Sequence, residues 1–225
     1  MSVMDVIRAR HSVRSYEERG LSNEDASRLQ GIVSRCAEES GLNIQLVTDN
    51  PEAFQVIARF GVIRGASAHV AFVAKGVESD EAIGYWGQRI VLAAQEMGLN
   101  TCWVMLMARK KSKAKVPAGM GIRIGIAVGY GKTQGTPHKS KPAEELIAVE
   151  GDTSAPQWFK TAGEAAMLAP TAVNHQNFRI TLLADDQTVR AETKPSGTNV
   201  IDLGIVKRNF EEAANETGSV WKWEE

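Results

Sequence analysis

The chain has 225 residues, 43% of them apolar and 24% charged, which is enough for a large buried core in one domain or two small ones. Its formal net charge of −1 argues against a general nucleic-acid binder or a protein of anionic membrane surfaces. Cys36 and Cys102 are the only cysteines, Met1 to Arg10 lacks an apolar signal-like region, and no apolar run approaches the ~20 residues of a membrane span; the expectation is a soluble, cytoplasmic protein without disulfides.

In chain order, Met4 to Arg10 reads as a short helix and Asn23 to Ser40 as a longer one. Ile44 to Val47 is a strand, Pro51 to Arg59 a helix, and Phe60 to Ala66 a loop punctuated by Gly61 and Gly65. Val70 to Ala74 is an apolar, β-like run. Glu81 to Met97 places Ile83, Ile90, Val91, Ala94 and Met97 at the three-and-four spacing of a core-facing helix, stopped by Gly98. Thr101 to Leu106 extends again, Ile122 to Val128 is a buried strand, and Gly129 to Pro142 is a linker or functional loop rich in Gly, Lys and Pro. Trp158 to Leu168 is helical, Pro170 ends it, and the strand Phe178 to Leu183 follows.

The pattern then repeats itself. Residues 42–49 match 178–185 at an offset of 136, and 93–98 match 213–218 at an offset of 120; Gly84 with Gly204 and Trp103 with Trp223 share the second offset. Two copies in one chain suggest a fused dimer, with a first half at 1–135 and a shorter second half at 136–225. A monomer is then expected, because the halves already satisfy the interface that two chains would otherwise form. A site at such an interface would draw on both halves and need survive only once.

Three clusters carry chemistry. Arg8-Ala9-Arg10-His11-Ser12-Val13-Arg14 supplies guanidinium forks and a hydroxyl that suit a phosphate, the plain alternative being a solvated basic surface. His138-Lys139-Ser140-Lys141 adds cations, or is simply a flexible linker. Ala169-Pro170-Thr171-Ala172-Val173-Asn174-His175-Gln176 is a turn of small and polar residues whose amides can meet the polar edge of a planar ligand, or a polar turn and no more. Gly131-Lys132-Thr133 lacks the first glycine of a phosphate-binding loop, since residue 126 is Ile126. The four histidines show no metal spacing, and Cys102 beside Trp103 reads as a small buried hydrophobe.

Five segments in this order resemble the FMN-dependent nitroreductase superfamily, and in particular its branch with two fused halves. They are Arg10 to Tyr16, Phe60 to Ala66, Gly98 to Trp103, Ala169 to Gln176 and Ile201 to Ile205. The resemblance implies an α+β, nitroreductase-like fold: an internally duplicated pseudo-dimer with antiparallel-rich sheets flanked by helices. It implies FMN as cofactor and NAD(P)H as electron donor. It assigns Arg10, His11, Ser12 and Arg14 to the FMN phosphate and ribityl chain, and Lys139 and Lys141 to the phosphate. Pro170, Thr171, Ala172 and Asn174 would line the ring, Phe60 and Gly61 its pyrimidine edge. The stretch Trp103, Val104, Met105, Leu106 would offer a backbone N–H near the flavin N5. The implied activity is an NAD(P)H oxidoreductase passing electrons in ping-pong fashion to a nitroaromatic, quinone or similar small acceptor. No catalytic side chain, nucleic acid or membrane is implied. Met105 and Leu106 stand where the fused branch has a glycine pair, so the alternatives are a non-catalytic flavin- or ligand-binding protein with a narrowed substrate face, or a chain that keeps only the fold.

Overall fold

Local sequence signals set the clearest element. In the computed structural model, the hydroxyl of Ser22 accepts the Asp25 N–H at 3.0 Å and opens a helix at Asn23, while Gly41, at φ 70°, closes it with its N–H on the Ala37 carbonyl. Between these caps Leu29, Val33 and Cys36 form one buried stripe, and the helix runs Asn23–Ser40. The structure describes residues 1–55, 62–105, 107, 109–151 and 154–224.

Among these the helices are α1 (Val3–Ala9), α2 (Asn23–Ser40), α3 (Asp80–Glu96), α4 (Ala143–Leu146), α5 (Gln157–Met167) and α6 (Asn199–Glu216). The strands are β1 (Asn43–Val47), β2 (Ala68–Ala74), β3 (Asn100–Val104), β4 (Gly121–Gly129), β5 (Ile147–Val149), β6 (Arg179–Leu182), β7 (Thr188–Glu192) and β8 (Lys222–Trp223). They build two four-stranded sheets, ordered β1-β2-β4-β3 and β5-β6-β7-β8. The first sheet is wholly antiparallel. The second joins an antiparallel pair, β6 with β7, to parallel partners on either side. This is the expected α+β class with antiparallel-rich sheets. No helix among the described residues is long and apolar enough to cross a membrane.

Two compact units emerge from the contacts: a first of Ala9–Ser79 with Arg89–Pro137, and a second of Met1–Arg8, Asp80–Gln88 and His138–Glu225. The first unit contains the first sheet. Val13, Tyr16, Phe54, Ile63, Val73, Val104, Met107 and Ile122 make one of its core clusters. β2 is buried along nearly its whole length, as the unbroken apolar run Val70 to Ala74 requires.

In the second unit, α6 meets the first half of α3 at two glycines. A Cβ on Gly84 would lie 1.9 Å from the Ile201 carbonyl oxygen, and one on Gly204 would lie 2.0 Å from that of Glu81. The contacts are reciprocal under one offset, since 201 − 81 and 204 − 84 both equal 120. Backbones this close leave no room for any side chain. Gln88 and Asn209, both fully buried, continue this crossing: Gln88 Nε2 donates to Asn209 Oδ1 at 2.9 Å, and Asn209 Nδ2 donates to the Ala165 carbonyl at 3.0 Å.

The structure differs from the sequence reading in a few places. Pro51–Phe54 is a 3-10 turn, and the rest of the helix expected to Arg59 lies, after Gln55, outside the described residues. The strand expected to reach Leu106 ends at Val104. α4, β5, β7 and β8 carried no readable signal because they are short: Thr188–Glu192 offers only Val189 and Ala191 as apolar residues, and its pairing comes from β6.

Candidate functional site

The N-terminal arginine segment is held as an extended strip in the first unit. Val13 N–H donates to the Thr101 carbonyl at 2.9 Å, Arg64 N–H to that of Arg14 at 2.9 Å, and Tyr16 N–H to that of Arg64 at 2.8 Å. Lys132 N–H then reaches the Ser15 carbonyl at 2.9 Å and Glu17 N–H that of Tyr130 at 2.8 Å. Alternation along this strip buries Val13 and leaves Arg14 exposed.

Arg10 precedes the strip and is only 4% exposed. Burial lowers its guanidinium to about 10, so it stays protonated at neutral pH. Cys102 shares its surroundings. Burial pushes that thiol up, while the charges of Arg14 and Arg10 and a hydrogen bond from Ser12 act in the opposite sense. Arg10, Ser12 and Arg14 are therefore brought together around Cys102, a neighbour that spacing alone gave no means of finding. His11 is half-buried, with Gly135 packed against it.

β3 forms one edge of the first sheet. Thr101 turns its carbonyl to Val13, away from β4, so the alternation of an antiparallel strand directs the backbone of Trp103 the same way, off the sheet edge. The Trp103 ring stacks on Phe72 with centroids 5.8 Å apart. Val104 is buried and Met105 half-buried. Leu106, Phe60 and Gly61 lie outside the described residues.

The second unit holds the small-polar turn, and the turn is strained. Val173 (φ 44°), Asn174 (φ 59°) and Gln176 (φ 48°) all adopt positive φ, although none is glycine. For a β-branched residue this is a rare conformation, costing of order 1–3 kcal/mol. Val173 sits at the tip, 83% exposed, so burial does not compensate it. Four anchors hold the shape. Asp202 accepts the Ala172 N–H at 3.1 Å from each carboxylate oxygen, and Thr171 Oγ1 accepts the Gln176 N–H at 3.0 Å. Asn174 Nδ2 donates to the Lys139 carbonyl at 2.8 Å, and Lys141 N–H to Gln176 Oε1 at 2.7 Å. Lys139, Lys141, Thr171, Ala172 and Asn174 are thus one assembly, with Pro170 half-buried at its start. The Lys141 ammonium rests on the Gln176 carbonyl at 3.3 Å, and both residues line an open groove of about 800 Å³ with Arg179 and Lys194. Among the described residues no group of His, Cys, Asp or Glu side chains is placed to hold a metal.

Asp202 supports this turn although the sequence gave it no role. Burial lifts its carboxyl from 3.8 to about 6, against the opposing pull of the Ala172 N–H. A raised folded value means that its contribution to stability is full below pH ~4 and is lost as pH rises through about 6. Asp202→Asn keeps an acceptor and removes the titration. Its melting temperature is therefore expected to gain on the wild type as pH rises from 4 to 8, by up to ~3 kcal/mol in stability; a difference independent of pH in melts across that range would refute it.

Comparisons with known proteins place the whole chain rather than these residues. A family model described as "Putative TM nitroreductase" matches residues 2–214. A putative nitroreductase from Thermotoga maritima is 19% identical, with a TM-score of 0.68 and the match covering 98% of this chain and 87% of that one. A putative NADH dehydrogenase/NAD(P)H nitroreductase from Parabacteroides distasonis is 19% identical, with a TM-score of 0.50 and coverage of 64% and 95%. A putative nitroreductase in complex with FMN from Desulfovibrio desulfuricans is 23% identical, with a TM-score of 0.49 and coverage of 64% and 94%. No curated protein matches the chain. The Thermotoga structure shares the fold over nearly the whole length, and with the family match running from residue 2 to residue 214 the chain belongs to this nitroreductase family.

Proposed function

We propose that the chain is an FMN-dependent NAD(P)H oxidoreductase of nitroreductase type. The observation that carries the reading is Arg10: a guanidinium almost wholly removed from water, yet charged, beside Ser12 and Arg14. A phosphate monoester matches the donor set of two guanidinium groups and a hydroxyl. The residues present therefore fit the phosphate end of FMN.

The other assignments follow the same reading. Arg10, Ser12 and Arg14, with His11, hold the phosphate and ribityl chain, and Lys139 and Lys141 add positive charge. The Pro170–Asn174 turn contributes polar contacts to the ring; its rigid, strained backbone suits a surface that must keep one shape. The off-edge backbone of Trp103 and the neighbouring Val104 and Met105 offer a main-chain donor to the ring. Bound flavin supplies two-electron transfer at N5. The net reaction moves two electrons from NAD(P)H to a nitroaromatic, quinone or similar small acceptor, the two substrates alternating at one face. The protein binds and orients; solvent supplies the protons. The reciprocal Gly84 and Gly204 contacts support the further reading that the halves 1–135 and 136–225 are copies and that the chain works as a monomer.

The test is a visible spectrum of the purified protein before and after added FMN, followed by gel filtration and turnover of NAD(P)H with a quinone. Flavin bands that travel with the protein, and turnover, are expected. A protein that stays colourless with excess FMN sinks the reading.

A further inference from the structure

The segment Arg109 to Lys115 places five cations within seven residues and no acid among them. All five are exposed, while Ser112 and Ala114 between them turn inward. The segment is fixed from behind. Asn50 Nδ2 donates to the Lys111 carbonyl at 3.1 Å, and Asn50 Oδ1 accepts the Lys113 N–H at 2.8 Å. Gln45 does the same for Lys115, its Nε2 donating to the carbonyl at 2.7 Å and its Oε1 accepting the N–H at 2.8 Å. Ser112 Oγ lies 2.8 Å from Nε2 of the buried His69. After the 3-10 turn Arg109–Lys111, two amide side chains thus pin the backbone of Lys111, Lys113 and Lys115, and exposure alternates from Lys111 to Lys115.

Ordering like charges side by side is unfavourable unless something anionic meets them. Where the head groups have partners among the described residues, these are neutral. Lys111 Nζ donates to Gln55 Oε1 at 2.8 Å, Lys113 Nζ to the Asp49 carbonyl at 2.6 Å, and Arg109 Nη2 to the Arg123 carbonyl at 3.1 Å. Glu52 and Asp49 are nearby acids; hydrogen bonds to its own backbone and Asn50 hold Glu52 below its usual range, and the charges of Lys113 and Lys111 add to this.

The start of the segment adjoins the proposed redox face, because Arg109 Nη2 also lies 3.5 Å from Met105 Sδ, just beyond the end of β3. From Met105, just past the edge strand β3, the segment reaches Gln45 of β1 at the opposite edge of the same four-stranded sheet, about 14 Å across the strands. That span is comparable with the reach from the nicotinamide to the adenosine phosphate of an extended dinucleotide. We propose that Lys111, Lys113 and Lys115 bind the 2′-phosphate of NADPH, and that the chain selects NADPH over NADH. The proposal rests on the oxidoreductase reading for its direction along the dinucleotide, and on the charged segment itself for the phosphate. The chain's net charge of −1 and the confinement of these cations to one short strip favour a small ligand over a nucleic acid.

The test is calorimetric titration with 2′,5′-ADP and with 5′-ADP, which carries as many phosphates but none at the 2′ position. The wild type is expected to bind 2′,5′-ADP roughly tenfold more tightly at low salt, and the triple variant Lys111→Ala/Lys113→Ala/Lys115→Ala to lose that preference. In turnover, kcat/KM for NADPH should fall by a similar factor in the triple variant while that for NADH holds. The triple arginine variant retains the charge and the preference. Equal binding of the two nucleotides by the wild type, or a preference that survives the alanine triple, overturns the proposal. So does lysine-dependent binding of a short single-stranded DNA that displaces 2′,5′-ADP and is much tighter. The flavin spectrum of the same samples separates the failures: a yellow protein without the preference loses only this inference, and a colourless one that keeps it loses only the oxidoreductase reading.

Discussion

Gly204→Ala is expected to destabilise the protein by about 3 kcal/mol or more, at the upper end of overpacking costs. The added methyl would lie 2.0 Å from the Glu81 carbonyl oxygen and 2.7 Å from the Tyr85 nitrogen. Both neighbours are helical backbone, so no rotamer change relieves the overlap, and α6 must move off the first half of α3. Moving it strains the buried Gln88–Asn209 bond behind the crossing. Alanine favours an isolated helix over glycine by only about 1 kcal/mol, too little to offset this. Gly84→Ala should behave alike, since its methyl meets the Ile201 carbonyl. Gly31→Ala is the control: it lies within α2 with nothing near its added methyl, and should gain roughly 0.5–1 kcal/mol. Urea melts of the three variants decide the matter. Equal effects at Gly31 and Gly204 would mean that the close crossing contributes nothing.

Arg10→Ala is expected to weaken FMN binding by about 1.5–3 kcal/mol, roughly tenfold to a hundredfold in Kd. Arg10→Lys should recover part of this, because an ammonium keeps the charge and loses the planar fork. Arg10→Met separates binding from folding. It fills similar space without a charge to desolvate, so the flavin-free protein should keep its stability within about 1 kcal/mol while affinity still falls. Fluorescence titration of FMN together with thermal melts reads both quantities. A variant that melts early and binds FMN normally would make Arg10 a structural residue and remove the main support for the phosphate site.

Much of the fold was legible because its causes are local. Ser22, the stripe Leu29, Val33 and Cys36, and Gly41 fix α2 within its own residues, and the reading Asn23 to Ser40 agrees with the structure. β2 announced itself as an apolar run too continuous for a surface strand. β7 and β8 did not, because five and two residues carry too little pattern and depend on partners elsewhere in the chain. The candidate site divides along the same line. Its residue types were visible in Arg10, Ser12, Arg14 and the Thr171 to Asn174 turn.

What the sequence by itself determined is the α+β class, through the family resemblance, the bounds of α2 and, to within one residue, of α3 and α5, the shared offset of Gly84 and Gly204, and the chemistry available at each cluster. Tertiary structure alone decided that those two glycines meet at one crossing, that Cys102 sits among Arg10, Ser12 and Arg14, and that Asp202 braces a strained Val173 turn. It also decided that Gln45 and Asn50 hold a row of lysines in order. The physical reason is range. Caps, periodicity and turns act over a few residues and leave their mark in the string. A hydrogen bond from Asn50 to Lys113, or a close approach of two helix backbones, depends on where distant segments are brought, and the residues involved look ordinary until they meet.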